Sequence, residues 1–402
     1  MKNHSPVTIT GASPALADLI QQTLQLVRHA GGFIHPALEV HVDNGNFSVH
    51  AQPGEIAAQE VIINLPDDCM PSLDDFSIAI DNNQFIITET KPSATRTMQE
   101  AMALMLATFN LTNKLDTHRH SSLFLFLHDN HKDIFDLLNN AHLPVSIPST
   151  DDDERAIKSF FSTRAMSYTT RDGTFRNNIL LPFLDYLNHS NQSLSADALP
   201  LPANITSGVT IFYSPLPDSS ECVFRYSFYD PLSSAFLSGF IEPTQTIVRS
   251  IPLTLALGEV TLAISRRKNT AAANDIPAIA KDLQLYFPAL AIDEESGLPS
   301  LSQLTIPGAS APRSMRRILE IAIRNLVPHI NDKSTIAAMV KTAEDAVLAN
   351  NRALYQQLLE NAEAIQVPQF KTLLQNTARQ SLDIIDRYSE FTRPLPYAFL
   401  AY

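Results

Sequence analysis

Apolar and polar positions alternate between two regimes along the chain. Leu16, Leu19, Ile20, Leu24 and Val27 recur at helical spacing between Ser13-Pro14, a cap and first-turn pair, and Gly31-Gly32, a stop. From Phe33 to about Ile87 the period shortens to two. Leu38-Glu39-Val40-His41-Val42, the Asn44-Gly45 turn and Phe47-Ser48-Val49-His50 predict a hairpin, and Glu60–Leu65 predicts a further strand ended by Pro66. Residues 93–145 return to helix, with Met98, Met102, Met105, Leu106 and Phe109 on one face as core. Extended segments broken by prolines fill 179–250. From about residue 270 the pattern predicts helix to the end, including a long helix capped by Ser334.

Composition narrows the chemistry. The 402 residues carry 29 basic and 42 acidic side chains, a net charge of −13, which argues against nucleic-acid binding and favours basic protein partners. The hydrophobic fraction of 45% supplies a packed core in two or three domains. No apolar run is long enough to span a bilayer and the opening residues are polar, so a cytoplasmic protein without membrane attachment is expected. Two cysteines, Cys69 and Cys222, cannot form a cysteine zinc site. No two of the eleven glycines are separated by one residue, which excludes G-x-G-x-x-G and G-x-S-x-G, and none precedes a lysine, which excludes a P-loop. The close pairs His118/His120 and His128/His131 lack a completing cysteine or acidic cluster, so no metal is expected. The acidic run Asp151–Glu154 and the pair Arg316-Arg317 read as solvated surface.

The most unusual string is Leu180–Ser190, an apolar segment ending in Asp185, Asn188 and His189. Taken alone it describes a buried loop whose polar side chains satisfy backbone groups. It also resembles the P-x-x-D-x-x-N-H-S segment of SET-domain protein methyltransferases. The similarity is to the split-SET branch that includes Rubisco large-subunit lysine methyltransferases and actin-histidine methyltransferases. Upstream, Ser162-Thr163-Arg164-Ala165-Met166 resembles that branch's S-R-A-F segment. Downstream, Val223-Phe224-Arg225-Tyr226 and Phe236–Pro243 resemble its closing tyrosine segment and its Y-G-F-I-E-P. Asn44–Ala51, with Ile56, Glu60 and Pro66, resembles its opening β segment.

The resemblance implies an α+β fold: a β-rich SET core of short strands with a helical insert, followed by a separate helical C-terminal domain. The corresponding spans are an N-terminal helix (1–32), the first part of the core (33–94), the insert (95–175), the second part of the core (176–269) and the helical domain (270–402), which docks the substrate protein. It implies S-adenosyl-L-methionine as cofactor and transfer of its methyl group to a lysine, or a histidine, of a protein substrate. By the same resemblance, Asn188, His189 and Arg164 hold the cofactor, together with Asn46 and Ser48, where the family has glycines. Thr163, Asp185 and Ser238 border the acceptor channel, Ser238 standing where the family has a second tyrosine. Tyr226 aligns with the catalytic tyrosine, and Tyr229 competes for that place. A SET-like scaffold that has lost transfer and serves as a protein-binding module is the alternative.

Overall fold

The computed structural model describes residues 7–52, 54–141, 151–170, 173–202, 205, 207–216, 219–226, 230–265, 288–293, 296–308 and 313–392. Small sheets and helices alternate in an α+β architecture. The chain divides into two compact units, Met1–Leu125 with Ile147–Phe228, and Phe126–Ser146 with Tyr229–Tyr402.

The first unit is built on local rules the sequence states plainly. Helix α1 (Pro14–His29) starts where Ser13 Oγ accepts from the Leu16 amide at 3.3 Å, and it buries Leu16, Ile20, Leu24 and Val27. Strand β1 (Thr8–Thr10), β2 (Phe33–Ile34) and the hairpin β3 (Leu38–Asp43) with β4 (Asn46–Ala51) follow its outline. Asn44 and Gly45 both take left-handed φ, 48° and 78°, as a two-residue hairpin turn requires. The register pairs Leu38 with Ala51 and Asp43 with Asn46. Phe47, Val49 and Ala51 therefore face the core, and Asn46, Ser48 and His50 share the opposite face.

Strand β5 (Val61–Leu65) pairs antiparallel with β2 and with β11 (Val209–Phe212). The approach to β11 depends on Gly208, whose φ is +87° and whose Cβ, if present, would lie 1.8 Å from the Leu65 carbonyl oxygen. A left-handed side chain costs about 1–2 kcal/mol, and forcing that atom into the strand costs about 1–3 kcal/mol more. Gly208→Ala is expected to lower the urea midpoint of this unit by an amount equivalent to about 3 kcal/mol at unchanged slope.

Helices α2 (Arg96–Leu111), α3 (Lys114–Ser121) and α6 (Asp152–Ser162) pack on the hairpin β6 (Phe76–Asp81) and β7 (Gln84–Thr90). Phe85, Phe109, Phe160 and Phe161 form the aromatic centre of this layer, beside the buried Met102 and Met105 of the predicted stripe. The acidic run at 151–154 is a helix start: Asp151 caps α6 by accepting from the Asp153 and Glu154 amides, and the acids occupy its positive end. Beyond α6 lie β8 (Met166–Thr169), β9 (Phe175–Ile179), a 3₁₀ turn at Leu184–Tyr186, β10 (Asn188–His189) and β12 (Val223–Phe224).

In the second unit, α4 (Leu123–Asn130) contributes Phe126, which stacks on Phe370 at 4.2 Å, and α5 (Lys132–Ala141) follows. A short turn α7 (Pro231–Ser233) runs into a π-helical turn at Ser234–Ser238. Then come β13 (Val248–Arg249), β14 (Leu253–Leu257), β15 (Val260–Ser265), β16 (Ala289–Ile292), β17 (Pro299–Ser302) and β18 (Thr305–Ile306). Helix from residue 270 onward was the expectation, but β16, β17 and β18 precede the helices. Their pairing is non-local: β17 lies parallel to β15 and antiparallel to β16.

The helical part begins with α8 (Ser314–Leu326), followed by α9 (Lys333–Ala362) and α10 (Pro368–Thr392). The α9 cap is Asp332, not Ser334. The Asp332 carboxylate accepts from the Ser334 and Thr335 amides and their hydroxyls, which holds it well below the usual carboxylate range. Buried Asn351 ties α9 to the strands, accepting from the Ile251 amide at 3.1 Å and donating to Ser250 Oγ at 3.1 Å.

Candidate functional site

Three separated stretches of the first unit meet on the outer face of β4. Two-residue strand β10 lies parallel to β12, with Asn188 opposite Val223 and His189 opposite Phe224. Asn188 Nδ2 donates to Glu221 Oε1 at 2.6 Å and to the Phe47 carbonyl of β4 at 3.4 Å. His189 Nδ1 accepts from the Tyr226 amide at 3.0 Å, so the neutral ring carries its proton on Nε2 and donates to Asn191 Oδ1 at 3.2 Å. Tyr226 packs its ring 4.6 Å from Phe224 and 5.1 Å from the His189 ring, and its hydroxyl donates to the Leu187 carbonyl. The backbone entering this segment is strained at Phe183, where φ is +67° on a bulky side chain.

Arg164 follows the end of α6. Its guanidinium lies 3.8 Å from the centre of the Phe160 ring, and its Nη1 donates to Thr163 Oγ1 at 2.7 Å and to the Phe160 carbonyl at 3.2 Å. Arg164 Nε lies 3.6 Å from Asp185 Oδ2, an ion-pair distance too long for a hydrogen bond, and it is buried without an acceptor. Burial pushes the Asp185 carboxyl up, against the opposing pull of Arg164 and Lys114. Burial also pushes the Lys114 ammonium down, as does the Arg164 charge, while Asp185 opposes both. Lys114 Nζ donates to Asn46 Oδ1 at 3.1 Å and lies 5.6 Å from the centre of the Phe47 ring. That ring stacks at 4.3 Å on Tyr186, whose phenol is pushed up to about 12 by burial.

Asn46, Ser48, Arg164, Thr163, Asp185, Asn188, His189 and Tyr226 thus all belong to the first unit. Lys114 bonds Asn46 and lies within the electrostatic reach of Arg164, which repels it, and Asp185, which attracts it; Asn188, His189 and Tyr226 are joined through β10 and β12. Ser48 Oγ bonds His50 Nε2 at 2.9 Å. Ser238 ends the π-helical turn of the second unit, and Tyr229 lies outside the described residues.

Three participants escaped the sequence reading. His50 was detectable, because period two puts it on the face of Asn46 and Ser48. Lys114 and Glu221 had no local signal: Lys114 meets Asn46 across 68 positions and Glu221 meets Asn188 across 33. In the two close histidine pairs, His118 and His128 have partners outside the pairs. His118 Nε2 meets Ser159 Oγ at 2.9 Å, with burial pushing its imidazole down to about 3, and His128 Nδ1 meets Asp129 at 2.8 Å. Among the described residues, no group of three or more His, Cys, Asp or Glu is arranged to hold a metal. Burial raises the thiols of Cys69 and Cys222 to about 11 and about 12, which leaves them inert as nucleophiles. No helix among the described residues is long and apolar enough to cross a membrane.

No protein-family model matches the sequence, and no curated protein matches it. Among solved structures, the chain is similar to a crystal structure of the SET domain of LSMT bound to lysine and AdoHcy. The TM-score is 0.40 and the identity 13%, over 94% of this chain and 92% of that one. It is also similar to the SET domain of LSMT bound to methyl-lysine and AdoHcy, with a TM-score of 0.36 and 11% identity, over 95% and 92% of the two chains.

Proposed function

We propose that the protein is an S-adenosyl-L-methionine-dependent protein methyltransferase of the SET type. Its acceptor is a lysine or histidine side chain on a basic protein segment. The observation that carries this reading is the meeting of Asn188-His189 with the Tyr226 segment along β10 and β12, against β4. The donor set fits an amino-acid-bearing cofactor: the buried Arg164 Nε has no acceptor, and the Asn188 amide faces the Phe47 carbonyl. When bound, the cofactor supplies an activated methyl group on a sulfonium.

The chain's own contribution is positioning. Arg164, fixed over Phe160 and tied to Thr163, is preorganised toward a carboxylate. The Leu187 carbonyl and the Tyr226 hydroxyl form an electronegative edge suited to a cationic centre and an amine. A protein amine must lose its proton before it can attack, and desolvation at a narrow site lowers its pKa. The net charge of −13 favours a basic substrate segment. The helical C-terminal domain (270–402) is assigned the docking role, and the protein is placed in the cytoplasm.

Asn46 and Ser48 put side chains on β4 where the resemblance has glycines, which favours a non-transferring binding module as the second reading. Calorimetric titration with S-adenosylmethionine separates the two. The enzyme reading expects saturable binding, weakened about tenfold in Asn188→Ala through loss of one amide partner. No heat at high micromolar cofactor favours the scaffold.

A further inference from the structure

The outer face of β4 runs between two oppositely charged ends. At one end, Lys114 Nζ reaches Asn46 Oδ1 at 3.1 Å, close to Arg164 and Asp185. Two cations against one carboxylate leave this end at +1. Arg164 alone does not suffice as an anion receptor, because Nη1 is committed to Thr163 and the Phe160 carbonyl, and Asp185 offsets its charge. At the other end, Glu221 Oε1 lies 2.6 Å from Asn188 Nδ2. His50 sits beside it on the same strand face, bonded to Ser48 and to Ser220 Oγ at 3.0 Å. Burial and the neighbouring His41 hold the His50 imidazole toward its neutral form, so it is a poor counter-ion for its neighbours. The Phe47 carbonyl, a second acceptor within reach of Asn188, lies between the two ends.

Resting on the reading above of this same site, we propose that Lys114 and Glu221 form the two poles of a receptor for a zwitterionic α-amino acid group. Lys114 joins Arg164 on the carboxylate, and Glu221 joins the Phe47 carbonyl on the ammonium, which replaces the Asn188 Nδ2 donor that both acceptors face. The Lys114–Asn46 and Asn188–Glu221 hydrogen bonds are then exchanged for bonds to the ligand, which keeps the cost of opening the site small. The arrangement also accounts for Asn46, whose side chain holds the Lys114 ammonium at this end of the strand face.

The test is calorimetric titration of the full chain with three probes. S-adenosylhomocysteine carries both charges, its decarboxylated analogue carries only the ammonium, and 5′-methylthioadenosine carries neither. Lys114→Met should weaken S-adenosylhomocysteine about tenfold or more and leave the other two probes unchanged. Glu221→Gln should weaken the first two and spare methylthioadenosine. Lys114→Arg should recover most of the affinity lost in Lys114→Met. A wild-type dissociation constant for S-adenosylhomocysteine in either charge-removing variant overturns the inference and leaves the proposed function standing. Equal weakening of methylthioadenosine also overturns it, since that reports general damage to the site. Wild-type protein that binds none of the three probes removes the proposed function, and the inference with it.

Discussion

Tyr226→Phe is expected to reduce methyl transfer about a hundredfold or more and to change the cofactor dissociation constant by less than about threefold. The substitution removes one oxygen and keeps the ring. The packing against Phe224 and His189 therefore survives, as does the amide bond from Tyr226 to His189 Nδ1. The donation to the Leu187 carbonyl is lost, worth about 1 kcal/mol of stability. Leu187 directly precedes Asn188-His189, so on the proposed reading the missing hydroxyl is the group that orients the acceptor nitrogen. The measurement pairs incorporation of labelled methyl into lysate protein with calorimetry on the same variant. Unchanged turnover with unchanged binding would remove Tyr226 from the chemistry and pass its place to Tyr229. Loss of both would mean that the hydroxyl holds the cofactor site itself together, through Leu187, and does not act on the acceptor alone.

The parts of this fold that were legible in the sequence are those held by local physics. Ser13-Pro14 begins α1 and Asn44-Gly45 turns the β3–β4 hairpin, because capping and positive φ are decided within four residues. The methionine stripe of α2 is buried for the same reason of period. Strands β16, β17 and β18 were not legible. Pro299–Ser302 has little strand character of its own and is extended because β15 and β16 flank it. Strands β10 and β12 are two residues each, too short for any period, so the meeting of Asn188 with the Tyr226 segment rested on the resemblance alone. Glu221 and Lys114 enter the site only through tertiary contacts. Charge was misread in the same way at Arg316. Its neighbour in sequence is another arginine, but its partner stands 28 residues away on the next helix.

That partner, Glu344, carries the second large expectation: Glu344→Ala should destabilise the second unit by about 3 kcal/mol. The carboxylate is 2% exposed, both of its oxygens lie 2.9 Å from Arg316 Nε, and the fully buried Tyr388 donates its hydroxyl to it. One glutamate therefore ties α8, α9 and α10 together. Removing it takes this carboxylate away from a largely buried guanidinium and a buried phenol, the arrangement in which breaking a pair costs more than the pair is worth. A cavity of about 440 Å³ opens beside the pair, lined by Arg316, Lys341, Glu344 and Arg352 among others. Water there can reach the orphaned Arg316, which sets the loss near the lower end of the range for buried pairs. Tyr388→Phe removes one bond to the same carboxylate and should cost only about 1 kcal/mol. The decisive comparison is the double variant Arg316→Met with Glu344→Ala. With both charges gone no unpaired ion remains, so it should be more stable than Glu344→Ala alone. Urea midpoints followed by a probe of the second unit give the values for these variants and for Arg316→Met alone. A double variant at least as unstable as the sum of its singles would show that packing, and not the isolated charge, governs this junction.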